Sequence, residues 1–179
     1  MMRRGVRWIS SAPTREYFYF VDLHGRLYLD ECHEESGTRT RRKVFNFATS
    51  LKEPKFLDFF FRQLRVNDLG KYLPTYQYLS PCGREMNFVR AADTGVVFNR
   101  MEGESLVYAH NLRMSFQPSK LKISSEGRVY HPSPVGADAL IASNVVQQVL
   151  QHNIRITDSG YVLVHGDKEF GIEEREDVH

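Results

Sequence analysis

Apolar positions in this chain come in short runs, and the spacing within each run assigns it to a strand or a helix. Residues 16–29, EYFYFVDLHGRLYL, are dense in aromatics with His24-Gly25 midway, which predicts a β-hairpin around a glycine-containing turn. Residues 30–43, DECHEESGTRTRRK, are polar and charged and read as a flexible loop. A short apolar piece at 44–47 reads as another strand. The spacing then predicts a helix over 54–66, with Pro54 in a first turn where its missing N–H has no partner to lose. Phe56, Leu57, Phe60, Phe61 and Leu64 fall on one face and Lys55, Asp58, Arg62 and Arg65 on the other. After a break at 67–70, strands are expected at 71–79 and 84–90, joined by a tight Ser80-Pro81-Cys82-Gly83 turn.

The second half presents the same order. Residues 120–123 and 128–130 flank a Gly127-containing turn, and a helix is expected from Pro134 and Asp138 to about His152. Its predicted core face is Leu140, Ile141, Val145, Val149 and Leu150. A last hairpin joins 160–164 to 169–172 through His165-Gly166-Asp167-Lys168. Gly25-Arg26 and Gly127-Arg128 stand at equivalent hairpin positions, while 96–99 and 106–108 read as strands between the halves. The expected fold class is α+β: two tandem repeats, each a small antiparallel sheet of hairpin–helix–hairpin order covered by one helix. The domain map that follows has a first repeat at 15–100, with the charged loop at 30–43, and a second at 101–172. Residues 173–179 read as a disordered acidic tail.

Composition narrows the class without naming a function. The 179 residues are 41% hydrophobic and 26% charged, which excludes fibrous and wholly disordered chains. Lys+Arg 24 against Asp+Glu 22 gives +2, too little to argue for nucleic-acid binding. No uncharged apolar run is long enough for a membrane-spanning helix. The two cysteines, Cys32 and Cys82, cannot build a disulfide scaffold or a four-thiolate zinc site, which fits a reducing compartment. The opening residues carry Arg3, Arg4, Arg7, Ser10 and Ser11 with no acid before Glu16, the signature of a mitochondrial transit segment at 1–14. The competing reading of 1–14 is a disordered basic arm.

Candidate chemistry is sparse. No P-loop, dinucleotide, zinc-protease or nucleophile-elbow motif occurs, and the seven histidines show no metal-site spacing. Cys82, on a glycine turn beside Arg84, carries the chemistry of a nucleophile or redox sensor, but no histidine lies near it in sequence to act as base. The plainer reading is a half-buried thiol packing a turn. Arg84 with Arg90 could present a small anion site, since guanidinium forks match carboxylate or phosphate. Tyr130-His131, leaving a strand ahead of a predicted helix start, could line a pocket; otherwise Tyr130 fills core space. The run 39–43, RTRRK, and the aromatics at 17–20 could serve RNA, though Glu31, Glu34 and Glu35 favour a self-paired loop.

Arg15-Glu16-Tyr17-Phe18-Tyr19, Leu27-Tyr28-Leu29-Asp30, Cys82-Gly83-Arg84-Glu85 with Asn87-Phe88, and Gly127-Arg128-Val129-Tyr130-His131-Pro132 together resemble uncharacterised protein family 0598. The resemblance covers about 15–99 and returns from Gly127 into the second predicted helix. It implies mitochondrial association, as for the family's animal members, and implies no activity, cofactor or catalytic residue. The link at 33–43 is longer than the family's usual one. The order of elements is also similar to a bacterial domain-of-unknown-function family of two tandem α+β repeats, which implies ligand sensing.

The combined expectation is a soluble protein of the mitochondrial matrix, with a cytoplasmic alternative, acting as a ligand-binding or protein-interaction module. Arg84 and Glu85 from one repeat, with Tyr130 and His131 from the other, are expected to line a cleft between the repeats. The expected partner is a small anionic ligand or a mitochondrial protein, with no metal site and no cofactor. The alternatives are a thiol-dependent enzyme or redox sensor using Cys82, and an RNA-binding protein.

Overall fold

Alternating aromatic positions make the first strand, β1 (Arg15–Val21), which turns back through Asp22 to Gly25 into β2 (Leu27–Leu29). Asp22 holds that turn by accepting from the His24 and Arg26 amides, each at 2.9 Å. The computed structural model describes residues 15–30 and 50–176. The expected transit segment at 1–14, Cys32, the basic run 39–43 and the strand at 44–47 lie outside the described residues.

Helix α1 (Pro54–Arg62) begins where Glu53 caps it, its carboxylate accepting from the Lys55 and Phe56 amides. It stops four residues short of the expected end because β3 (Arg65–Val66) pairs instead with β4 (Tyr78–Cys82). Strand β4 turns into β5 (Glu85–Ala91), which lies parallel beside β1. Five strands thus form one sheet, ordered β2-β1-β5-β4-β3.

Then β6 (Val97–Phe98) crosses over to another sheet. It is followed by a separate three-stranded meander of β7 (Arg100–Glu102), β8 (Ser105–Tyr108) and β9 (Leu112–Ser115). A seven-stranded sheet takes β10 (Lys122–Ile123), β11 (Val129–Pro132), β12 (Asp138–Ile141), β13 (Ile154–Thr157), β14 (Gly160–His165) and β15 (Lys168–Glu174). Its order is β13-β14-β15-β10-β11-β12-β6. In both larger sheets the last strand returns parallel beside the first of its run, β5 on β1 and β15 on β10.

The expected fold class is therefore corrected. The described residues are 45% strand and 16% helical, in three sheets, and do not form hairpin repeats each covered by a helix. The physical reason lies in 134–152. Leu140 and Ile141 belong to β12, paired with β11 and with β6, so the strand ladder claims the first half of the expected helix. What remains is a short α-turn, α2 (Ser143–Val145), running through a π-turn at Val146–Leu150 into a 3₁₀ turn at Gln151–Asn153. That change of period rotates Val149 outward to 37% exposure, against its expected place in the core.

One apolar core joins the sheets. Tyr19, Val21 and Val89 from the five-stranded sheet meet Phe60 and Phe61 of α1, Phe98, Leu106, and Tyr130, Ile141 and Leu163 from the rest of the chain. The opposite face of the five-stranded sheet carries its own cluster of Phe18, Tyr76, Leu79 and Phe88, closed over by Tyr72 and Met86.

Candidate functional site

The chain reverses at Gly83-Arg84, not at Ser80 to Gly83, so Ser80 and Cys82 are strand residues of β4. Gly83 takes φ +64°, a left-handed value that glycine adopts without strain. Strand alternation then sets polar residues of three strands in ordered rows on the face toward α1. The outermost row is Arg15–Glu85–Cys82, the next Tyr17–Asn87–Ser80, and the third Tyr19–Val89–Tyr78. Helix α1 covers the third row, where the Tyr19 and Phe60 rings meet edge to face at 4.9 Å. It also seals part of the second, where the Ser80 hydroxyl donates to the Phe60 carbonyl at 2.7 Å.

Two members of the middle row are out of water: Ser80 and Asn87 are fully buried, while Tyr17 is half-buried. Asn87 Nδ2 donates to the Ser80 carbonyl at 2.7 Å, which fixes the orientation of the amide, and Asn87 Oδ1 has no partner among the described residues. A buried acceptor left unmatched costs about 1–3 kcal/mol, which a donor brought to that face would recover. The outer row is half-open. Cys82 is a half-buried free thiol with its Sγ 3.5 Å from Ser80 Oγ. The half-buried Glu85 carboxylate has no hydrogen bond or ion pair among the described residues. Burial first, then Glu85 and Cys82, push the Tyr19 hydroxyl above its usual range, so these groups share one electrostatic environment.

Chemically the cluster accepts hydrogen bonds far more than it donates them. Arg84 sits exposed in the turn and Arg15 exposed at the strand end. Among the described residues no group of three or more His, Cys, Asp or Glu is placed to hold a metal ion.

Tyr130 and His131 stand in the other large sheet, on β11, and their polar atoms are engaged there. Tyr130 donates to Asp93 Oδ2 at 2.7 Å, and Arg128 reaches the same oxygen at 2.9 Å. Arg175 lies over the Tyr130 ring at 3.9 Å and links Asp93 with Asp138, which Lys122 also contacts at 3.1 Å. Burial, and next the hydrogen bond to Asp93, raise the Tyr130 hydroxyl above its usual range. His131 is sealed between Phe98 and Phe116. Its Nε2 accepts from the Gln117 amide at 2.9 Å, so Nδ1 carries the proton and donates to the Pro132 carbonyl at 2.9 Å. No hydrogen bond or ion pair among the described residues links this pair to Arg84 or Glu85.

Sequence reasoning singled out Cys82 and Glu85, but took Tyr17 as one of a run of stacking aromatics and Ser80 as a turn residue, and gave Asn87 no site role. The available signal was alternation: polar residues at 80 and 82, and again at 85 and 87, fall on one face once the turn is placed at 83–84.

A family model described as a domain of unknown function, DUF4505, matches residues 9–161. The fold is similar to the crystal structure of a DUF1285 family protein from Silicibacter pomeroyi DSS-3, with a TM-score of 0.53 and 12% identity over 93% of this chain and 91% of that one. A DUF1285 family protein from Shewanella baltica OS155 matches with a TM-score of 0.44 and 16% identity, over 72% of this chain and 86% of that one.

Proposed function

The chain belongs to DUF4505, a family of unknown function, and from there we propose that it is a non-catalytic binding module whose ligand site is the polar end of the five-stranded sheet. The observation that carries this reading is the buried, unpartnered Asn87 Oδ1 directly behind a half-open row of Glu85 and Cys82. Binding sites of small molecules combine apolar surface with a few convergent polar groups, and here the half-buried Tyr17 stands beside Asn87 in the same row.

A thermal-shift screen of the full chain against amines, amides, carboxylates, nucleotides and phosphorylated metabolites tests it. A ligand at about 100 times its Kd stabilises by roughly 2.7 kcal/mol, a rise of several degrees in Tm. The reading expects a hit that Glu85→Gln or Cys82→Ala weakens. A hit insensitive to both, or no hit in any class, overturns it. The competing thiol-enzyme reading requires a Cys82 alkylation profile with an apparent pKa below about 7.

The address belongs to the same proposal. Arg3, Arg4 and Arg7 with Ser10 and Ser11, and the resemblance to uncharacterised protein family 0598, support mitochondrial import. A fluorescent fusion of residues 1–30 that stays cytoplasmic would refute it. No helix among the described residues is long and apolar enough to cross a membrane.

A further inference from the structure

We propose that the polar end of the five-stranded sheet is a site for a small cationic nitrogen group, an ammonium or guanidinium, held by Glu85 and Asn87. The inference rests on the binding-module reading and gives its ligand a chemical class and a sign of charge.

Asn87 Nδ2 is spent on the Ser80 carbonyl, which leaves only Oδ1, an acceptor. Ser80 Oγ spends its proton on the Phe60 carbonyl, which leaves lone pairs. The Glu85 carboxylate is acceptor-only when ionised, and it has no partner among the described residues. The Ser80 oxygen also takes the Cys82 thiol at 3.5 Å, so the open acceptors on this face of the sheet are Asn87 Oδ1, out of contact with solvent, and the half-buried Glu85 carboxylate. An anion placed there would meet the Glu85 carboxylate, and the donors of the two buried residues, Asn87 Nδ2 and the Ser80 hydroxyl, are already committed. A cationic N–H group would give Glu85 a charge-assisted hydrogen bond and Asn87 Oδ1 its missing donor. The chain's own cations nearby are Arg84, exposed in the turn, and Arg15, in register with Glu85 on β1, yet exposed and not ion-paired with it among the described residues. Arg15 is therefore a competitor for Glu85 that a ligand must outbid electrostatically.

The probe is agmatine, which carries both a guanidinium and an ammonium group, with glutarate as the anionic counterpart of similar length. Each is titrated into the full chain by amide NMR at low ionic strength. Agmatine is expected to shift the resonances of residues 80–87, with Glu85→Gln weakening binding about tenfold or more. Arg15→Gln, which removes the like charge, is expected to tighten it. Glutarate shifting the same resonances while agmatine does not would overturn the cation assignment and leave the binding site standing. Silence from both probes across 80–87 would overturn the cation site. Agmatine binding unchanged in Glu85→Gln would overturn it too, even with the resonance shifts present.

Discussion

His131 shows how a residue that looks chemical can be structural. It is buried, with a backbone amide on Nε2 and a carbonyl on Nδ1, and burial holds its imidazole below the usual range, partly offset by the Pro132 carbonyl. The folded value lies below the ~6.5 of the unfolded chain. The stabilisation is therefore complete above about pH 6.5 and is lost as the pH falls from there through the folded value. Urea midpoints at pH 7.5 and pH 5 should drop more in the native chain than in His131→Gln; equal drops would remove His131 from the account. At Gly95 the constraint is space rather than charge. An added Cβ would come 2.8 Å from the Tyr78 ring, so Gly95→Ala should destabilise by about 1–3 kcal/mol, read from the denaturation midpoint. Neither role was legible in the sequence. A histidine between Tyr130 and Pro132 carries no mark of what lies across the sheet, and the contacts of Gly95 come from β4, remote along the chain.

Helix α1 was legible because its apolar period and its proline agree, and Phe60 and Phe61 are buried as the pattern requires. Phe60→Ala should cost about 3–5 kcal/mol, since the ring touches Tyr19, Phe56 and Phe61. Differential scanning calorimetry would show this as a lowered Tm, and an unchanged Tm would mean the ring packs elsewhere. The segment 134–152 was misread for a physical reason. Ala139 to Ala142 is apolar at every position, and a short fully buried run suits a central strand as well as a helix. Length could not decide between them, because the helical turn that follows the strand extends the apolar pattern without a gap. The turn at Gly83-Arg84 was displaced by one or two residues because Pro81 mimics a turn residue. It sits instead in β4, paired with Met86. That displacement hid the shared face of Ser80, Cys82, Glu85 and Asn87, and with it the candidate site.

At the scale of the molecule, what escaped the sequence was the pairing of distant strands. The hairpins β1–β2, β4–β5, β10–β11 and β14–β15 are local and legible in the sequence; the parallel closures of β5 on β1 and β15 on β10 depend on partners far along the chain. Arg175 fastens one such closure, since its backbone amide donates to the Ile123 carbonyl at 2.8 Å while its guanidinium spans Asp93 and Asp138. Arg175→Ala should lower stability by about 1–3 kcal/mol, and less in an Asp93→Asn background, a double-mutant cycle in urea deciding whether the two are coupled. The parallel closures also order events on the ribosome. All five strands of the first sheet have been synthesised once Ala91 emerges, but β10 waits for β15, and β6 waits for β12, among the later residues to leave the exit tunnel. A nascent chain stalled between the two would carry a finished sheet beside an unfinished one, with the backbone of β10 bare along one side. That interval is when a chaperone would have most to protect, and when two such chains side by side would most readily pair with each other.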